Sequence, residues 1–504
     1  MRVRLPIALG AAAAACALAV ACGSSAPAQV STPSTGAGAI PAPSASAAAA
    51  ATLRDWPEFG LDPQRSDVSE ASPGIAASDL GRLQRLRVAL PGTVDSSPIY
   101  LHGADVAGSS HDVAIVTTTY GRTLAVDAGS GRILWTFTPP GYNGWSGSNQ
   151  ITTASPVADP GGGFVYAASP DGLIHKLSLA DGSETHGWPV RITREPRHEK
   201  IAAALNVDGP YVIAATGGYL GDAPPYQGHV VLIERATGRL SAVFNTLCAG
   251  RRRLIVPSSC NASDSAILSR GGAVVEPGGQ RILIDTGNAP WDGSSDFGDS
   301  VIELTVPGLR LRQAYTPLDQ ARLNSTDTDL GSSAPALLGS GRVAVAGKDG
   351  VLRVLSLSRL NGRAPSGGNR GHLGGELQRL QVPGGAELFS APAVWRRGGR
   401  TTMFVADQAG TAAYVLRGGR LYRAWQNSNP GTSPVMAGGL LYVYDLSAGG
   451  IYVYRPGSPR PLAKLPGSPG HWNSPIVVDG HVIEPEGDGN DHASNGTMDI
   501  LSVG

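Results

Sequence analysis

From about Val88 to the C-terminus one short pattern keeps returning: small residues and a proline, an apolar strand, a glycine turn, a second strand, then a third. Its best copy runs Ser97-Pro98-Ile99-Tyr100, then residues 113–119, then Thr123-Leu124-Ala125-Val126-Asp127 and on through Gly131 to Trp135. A unit that recurs at irregular spacings of roughly forty to sixty residues cannot bury its apolar faces alone, so the copies must stack around a common axis. The pattern predicts an all-β fold, a β-propeller of four-stranded antiparallel blades. The 68 glycines, 38 prolines and 6% aromatic residues agree, because they favour short strands and tight turns over long helices.

Innermost strands are expected to begin near Ser97-Pro98, Ser155-Pro156, Ala204-Leu205, Gly272-Ala273, Ala334-Pro335, Ala391-Pro392, Ser433-Pro434 and Ser474-Pro475, which makes eight blades. Small residues suit these positions because the backbones crowd toward the axis. The last unit supplies only 475–478, 481–485 and 497–503, whereas 83–90 has strand character and no partner of its own. Lending 83–90 to the final blade closes the ring without an unpaired seam.

The spacing of Ala125, Asp127, Gly131 and Trp135 carries more than turn chemistry. The aspartate can cap the turn, the glycine can take a left-handed conformation, and the tryptophan can lie flat between neighbouring blades. This spacing resembles the tryptophan-docking motif of the quinoprotein alcohol dehydrogenase-like propellers, the pyrroloquinoline quinone (PQQ) repeat family. Degenerate copies stand at Glu234–Gly238 and Asp181-Gly182, and Asp55–Gly60 is similar to the usual start of secreted bacterial members.

Further on, Thr286-Gly287-Asn288-Ala289-Pro290-Trp291 with Gly298-Asp299-Ser300 resembles a run of the PQQ-dependent dehydrogenases in which the asparagine is a ligand of the catalytic calcium. Asn288 matches it. Residues 315–319 and 324–333 resemble the stretch bearing the catalytic aspartate, and Lys348 stands where a Lys or Arg contacts the quinone. The resemblance thus implies Asn288 on calcium, Asp327 as the base for an alcohol beside a Lewis-acidic metal, and Lys348 on the cofactor carbonyls. Asp319, Asp327 and Asp329 each fit part of the aspartate pattern. At the turn that should supply a calcium glutamate, only Asp222 can substitute.

Several features depart from that family. The chain has no adjacent cysteine pair, and Ser265–Val274, where a tryptophan should form the quinone floor, contains none. One asparagine and one aspartate are a poor start for a hard cation that wants several oxygen ligands. A structural alternative covers the same residues: Asn288 in a left-handed turn after Gly287, Asp327 and Asp329 on backbone amides, and Lys348 as an ordinary hairpin residue.

The N-terminus reads as a targeting segment. Arg2 and Arg4 precede an apolar stretch, 5–20, that is short and alanine-rich for a membrane span. The run 18–25 around Cys22 resembles a bacterial lipobox, with Ala19 where Leu or Val is preferred; an ordinary secretory signal is the alternative. The expected organisation is a signal peptide at 1–21, a lipidated Cys22 opening an Ala/Pro/Ser-rich tether at 22–52, and the propeller at 53–504. With Cys16 removed and Cys22 lipidated, Cys248 and Cys260 remain to pair as a disulfide outside the cytoplasm, two free thiols being the alternative.

Forty basic and forty acidic residues balance, which argues against nucleic-acid binding. The ten histidines show no paired metalloenzyme spacing. The acidic run 484–491 reads as a solvated loop, and glycine-rich 367–371 as a flexible insertion without the helix that a phosphate cradle needs. Two functions therefore stay open. One is a monomeric, membrane-tethered scaffold that takes a ligand at its axial funnel or at a blade edge. The other is a PQQ- and calcium-dependent dehydrogenase of alcohols or sugars.

Overall fold

The computed structural model describes residues 52–360 and 373–503. Cys22, the signal and nearly all of the tether, and the glycine-rich segment 367–371 lie outside them. Among the described residues eight antiparallel sheets form the ring, and no helix is long and apolar enough to cross a membrane.

Each innermost strand begins where the small-residue pattern places it. Blade 1 comprises Ile99–Val106, Ser109–Thr117, Thr123–Asp127 and Ile133–Phe137. The other inner strands are Val157–Ala158, Asn206–Asp208, Val274–Val275, Ala336–Gly339, Ala393–Arg397, Val435–Ala437 and Ile476–Val478. Blade 8 has three strands from the C-terminus, and its fourth is Leu83–Leu90, paired along its length with Gly496–Val503 from Leu83 opposite Val503 to Leu90 opposite Gly496. The ring closes through this N-terminal strand.

Strands covered on both faces read as continuous apolar runs, because every seam between blades holds its own core. Ile99, Ile115 and Trp135 meet Val165 and Leu177 between blades 1 and 2, and Ala336, Leu352 and Val354 meet Met403 and Val405 between blades 5 and 6. The docking motif joins seams to turns. Trp135 donates from Nε1 to the Leu179 carbonyl at 2.8 Å, and its ring lies over Gly182, where an added Cβ would come within 2.6 Å of it. Trp425 repeats the arrangement on Pro456 at 2.7 Å and stacks on Tyr454. The degenerate turns are thus the docks for the preceding blade. Blade 1 receives the closing strand the same way, with Val88 and Leu86 seated over Gly131 (φ 71°).

The segment before that strand laces the ring together. Its carbonyls accept from inner-strand amides around the axis: Pro57 from Ala158, Pro63 from Val275, Ser66 from Val394 and Asp67 from Met436, all at 2.8–2.9 Å, while Trp56 and Tyr100 exchange a pair of bonds at 2.8 Å. Val68–Ser69 then pairs in parallel with the inner strand of blade 7. Arg65, 2% exposed, bonds Glu58 at 2.8 Å and the carbonyls of Phe59, Leu205 and Gly271. Residues 53–67 therefore plug the axis on the side of the inner-strand hairpins. The loops leading into the inner strands form the opposite end, the mouth.

The acidic run 484–491 differs from the sequence expectation of a solvated loop. Glu484 and Glu486 are buried on the second strand of blade 8, His481–Glu486, where Arg87 reaches Glu486 at 3.0 Å and Arg85 reaches Asp499 at 2.6 Å. The strand alternation, invisible behind four carboxylates, places them inside. Only the later part of the run is a loop.

Because Arg65 ties the plug to blades 3 and 4 and answers a buried carboxylate, Arg65→Met is expected to cost about 3–5 kcal/mol in urea unfolding. Adding Glu58→Gln, which removes the stranded charge, should recover part of that loss.

Candidate functional site

Loops of blades 4 and 5 bring the residues of the dehydrogenase-like motifs together, with Asp329 at their centre. Its carboxylate, 2% exposed, accepts from the Asn288 amide at 2.7 Å and meets Lys348 Nζ at 2.5 Å. Lys348 also reaches Asp327 at 3.3 Å, but the Asp327 side chain is 58% exposed. Burial alone would lower the pKa of Lys348, yet Asp329 and Asp327 hold it above the usual lysine range. Asp222 lies beside this group and accepts from Tyr226 Oη at 2.8 Å; burial raises its pKa, and Asp327 and Asp329 add to the rise. Asp264 belongs to the same acidic neighbourhood. Asp319 instead pairs with Arg322 at 2.8 Å and faces Arg353 and Arg379.

The local sequence makes this approach possible. A Cβ on Gly287 would fall 2.3 Å from the Asp329 carboxylate, and one on Gly347 would fall 2.1 Å from the Asp329 carbonyl. The motif glycines are required for loop packing. Asn288 does not adopt the left-handed turn expected of it, because the Asp329 carboxylate binds its amide; the left-handed residues are Asp299 (φ 48°) and Asp327 (φ 50°).

A second group spans the mouth on the axis. Three residues ahead of Pro98, Pro156, Ala273, Pro392 and Pro475 stand Asp95, Thr153, Arg270, Phe389 and Trp472. Arg270 crosses the ring to bond Asp95 Oδ1 at 2.9 Å, the Asp95 carbonyl at 2.8 Å and the Thr153 carbonyl at 3.3 Å. His471 Nδ1 and the Gly489 amide meet Asp95 Oδ2 at 2.9 and 3.0 Å. Against its burial, Arg270 and His471 hold the Asp95 carboxyl well below the usual carboxylate range. Phe389 and Trp472 pack with ring centres 4.6 Å apart and planes tilted by 34°. The sequence reading missed this group, although the blade frame itself carries the signal: each member occupies one repeated register position.

These residues do not fit calcium and a quinone as the resemblance implies. The Lys348 ammonium already neutralises Asp329 and reaches Asp327, so these two carboxylates are engaged by a cation of the chain itself. Among the described residues, the groups of three His, Cys, Asp or Glu side chains close enough to share an ion are Asp95, His471 and Asp488, and His102, Asp112 and Asp479; neither includes Asp222, Asp327 or Asp329. Arginines contact both groups, Arg270 on Asp95 and Arg54 on His102. The stretch that lacks the floor tryptophan supplies Arg270, which fills the axis instead.

Elsewhere, Cys248 and Cys260 are joined in a disulfide that closes the loop bearing Arg251, Arg252 and Arg253. Such a bond belongs to an oxidising, extracytoplasmic compartment.

Asp299, fully buried, accepts from the Leu330 amide at 3.2 Å and from Gln320 at 3.3 Å. Burial pushes its pKa up to about 8 despite the amide bond, and Asp329 adds to the rise. A carboxyl that keeps its proton on folding stabilises the protein below its unfolded pKa of about 4 and loses that contribution as pH rises through the folded value. The melting temperature should therefore fall between pH 5 and pH 8.5, and Asp299→Asn should make the fall smaller.

Residues 66–253 match a family model described as outer membrane protein assembly factor BamB. No curated protein sequence matches the chain. Among solved structures, the quinohemoprotein alcohol dehydrogenase of Comamonas testosteroni is 16% identical with a TM-score of 0.62, over 91% of this chain and 82% of that one. A quinohemoprotein alcohol dehydrogenase of Pseudomonas putida is 14% identical with a TM-score of 0.64, over 90% and 81%. BamB of Moraxella catarrhalis is 12% identical with a TM-score of 0.52, over 83% and 99%. Likeness at these identities is likeness of fold. The matches show that the chain has the eight-bladed propeller fold of those structures and that its residues 66–253 are similar to the family whose model they match.

Proposed function

We propose that this protein is a membrane-tethered, extracytoplasmic propeller that works as a binding or assembly scaffold and carries out no quinone chemistry. The observation that carries this reading is the filled mouth, where Arg270 and Asp95 form an ion pair across the axis at 2.9 Å. A planar cofactor seated there would have to break that pair and strand two charges, at a cost of several kcal/mol. The commitment of Asp329 to Lys348 supports the same reading, since that contact would have to break before the carboxylate could turn to a substrate. The family model described as an outer membrane assembly factor favours a protein partner. The disulfide favours the compartment, and Cys22 with the 22–52 tether supplies the anchor.

Purified protein mixed with PQQ and calcium should show no bound-quinone absorbance and no alcohol-dependent dye reduction. Stoichiometric uptake, with turnover lost in Asp327→Asn, would establish the dehydrogenase instead. For the anchor, full-length protein should fractionate with membranes and Cys22→Ser should move to the soluble extracytoplasmic fraction; unchanged fractionation would remove the lipid from the account.

A further inference from the structure

The formal charge of the chain is zero, but it is unevenly spread. Blade 6, residues 393–427, carries Arg396, Arg397, Arg400, Arg417, Arg420 and Arg423 against a single acid, Asp407. That aspartate is fully buried at the mouth end of the blade, where it accepts from the amides of Gly384, Ala409 and Gly410. The arginines are all exposed, and most stand at the two hairpin tips, with Arg397 opposite Arg400 and Arg417 opposite Arg420. Among the described residues one carboxylate meets any of the six: Glu70, half-exposed, lies 3.7 Å from Arg397.

Blade 6 is also longer than its neighbour. Its last three strands, Arg400–Asp407, Gly410–Arg417 and Arg420–Asn427, each run for eight residues, whereas blade 7 offers only Leu440–Tyr444, Ile451–Tyr454 and Pro461–Leu465 against them. Cross-strand partners share one face of a sheet, so rows can be read across the blade. Ala393, Phe404, Ala413 and Trp425 form the row that packs on Met436, Leu441 and Tyr454 of blade 7. The next row toward the tips is Trp395, Thr402, Val415 and Tyr422. It overhangs the shorter blade: Trp395 and Thr402 are only half-buried, and Tyr422 is 51% exposed.

The overhang leaves a slot of about 340 Å³, lined by Trp395, Val415, Trp425 and Pro456 together with Arg397 and Arg400. A slot of that size takes one anchoring side chain, and its two tryptophans favour an aromatic one. The unanswered arginines beside it favour carboxylates flanking that anchor. We propose that this face of blade 6 docks an acidic protein segment, with one aromatic side chain in the slot and neighbouring carboxylates on Arg397 and Arg400. A flat anionic bilayer could meet the arginines but not the slot, whose apolar surface is recessed between two blades. The proposal rests on the scaffold reading, for which it names the chemistry of the partner.

The probe is a fluorescein-labelled heptapeptide with phenylalanine at its centre and aspartate or glutamate at every other position, followed by anisotropy on the full folded chain. Replacing the phenylalanine by serine, or the acids by their amides, should each weaken binding at least tenfold. Arg397→Glu combined with Arg400→Glu should do the same, whereas Arg397→Lys with Arg400→Lys, and Arg252→Glu on the disulfide loop, should stay within about threefold of the parent. The melting temperature should hold in every variant, because these side chains are exposed. No binding of the peptide, equal binding of its neutral form, or equal binding to the double Glu variant would overturn the docking surface while leaving the scaffold reading intact. Phosphatidylglycerol vesicles bound in place of the peptide would assign the face to a membrane and overturn the proposal too. Quinone-dependent turnover would overturn the scaffold reading whatever the peptide does.

Discussion

Every blade of this protein has two apolar faces, so the sheet stack is stable only as a closed ring. Closure is the constraint from which the remaining structure follows. It requires the two ends of the described chain to meet, and they do so along Leu83–Leu90 and Gly496–Val503. The closing strand then docks on blade 1 by seating Val88 and Leu86 over Gly131, as Trp135 seats over Gly182 one blade later. Closing a ring also leaves an axis lined by inner-strand backbone, and its polar groups must be answered. The plug at residues 53–67 answers them on one side, and the Asp95, Arg270 and His471 group spans the other.

The division between frame and mouth shows that the motif residues have packing duties of their own. Gly287 and Gly347 are demanded by the approach of the Asp329 loop, whatever the mouth contains. Asp299 and Ser300 likewise fasten the turn around Thr286, through the Asp299 amide on Gly287 and the Ser300 amide on Thr286. Residues with such packing duties hold a motif in place whatever the loops around it bind. Fold and activity are separable for that reason.

What could be read from the sequence follows the same division. The eight blade starts were legible because each carries small residues before its strand, a local signal that repeats. The closing strand was legible by counting, since blade 8 fell one strand short. The plug was not: residues 53–67 have no periodicity, and their partners are backbone groups scattered over the whole chain. Glu484 and Glu486 misled because carboxylates signal solvent, whereas here Arg85 and Arg87 of the closing strand meet the acidic group from hundreds of residues away. At the candidate site Asn288, Asp327 and Lys348, singled out from the sequence, do lie close together, but the sequence could not show that Asp329 joins Asn288 to Lys348. The mouth residues Asp95 and Arg270 share a register position in the blade frame, but that they bond each other became visible only once the ring had brought distant segments face to face.

The central claim is a ring whose axis is laced by its own N-terminal segment. Hydrogen exchange at the amides of Trp56, Ala158, Val275, Val394 and Met436, each a donor in a bond between that segment and an inner strand, tests it most directly. The account predicts that all five exchange together and only with global unfolding. Rapid exchange at these five while mid-blade amides such as that of Ile115 stay protected would contradict it.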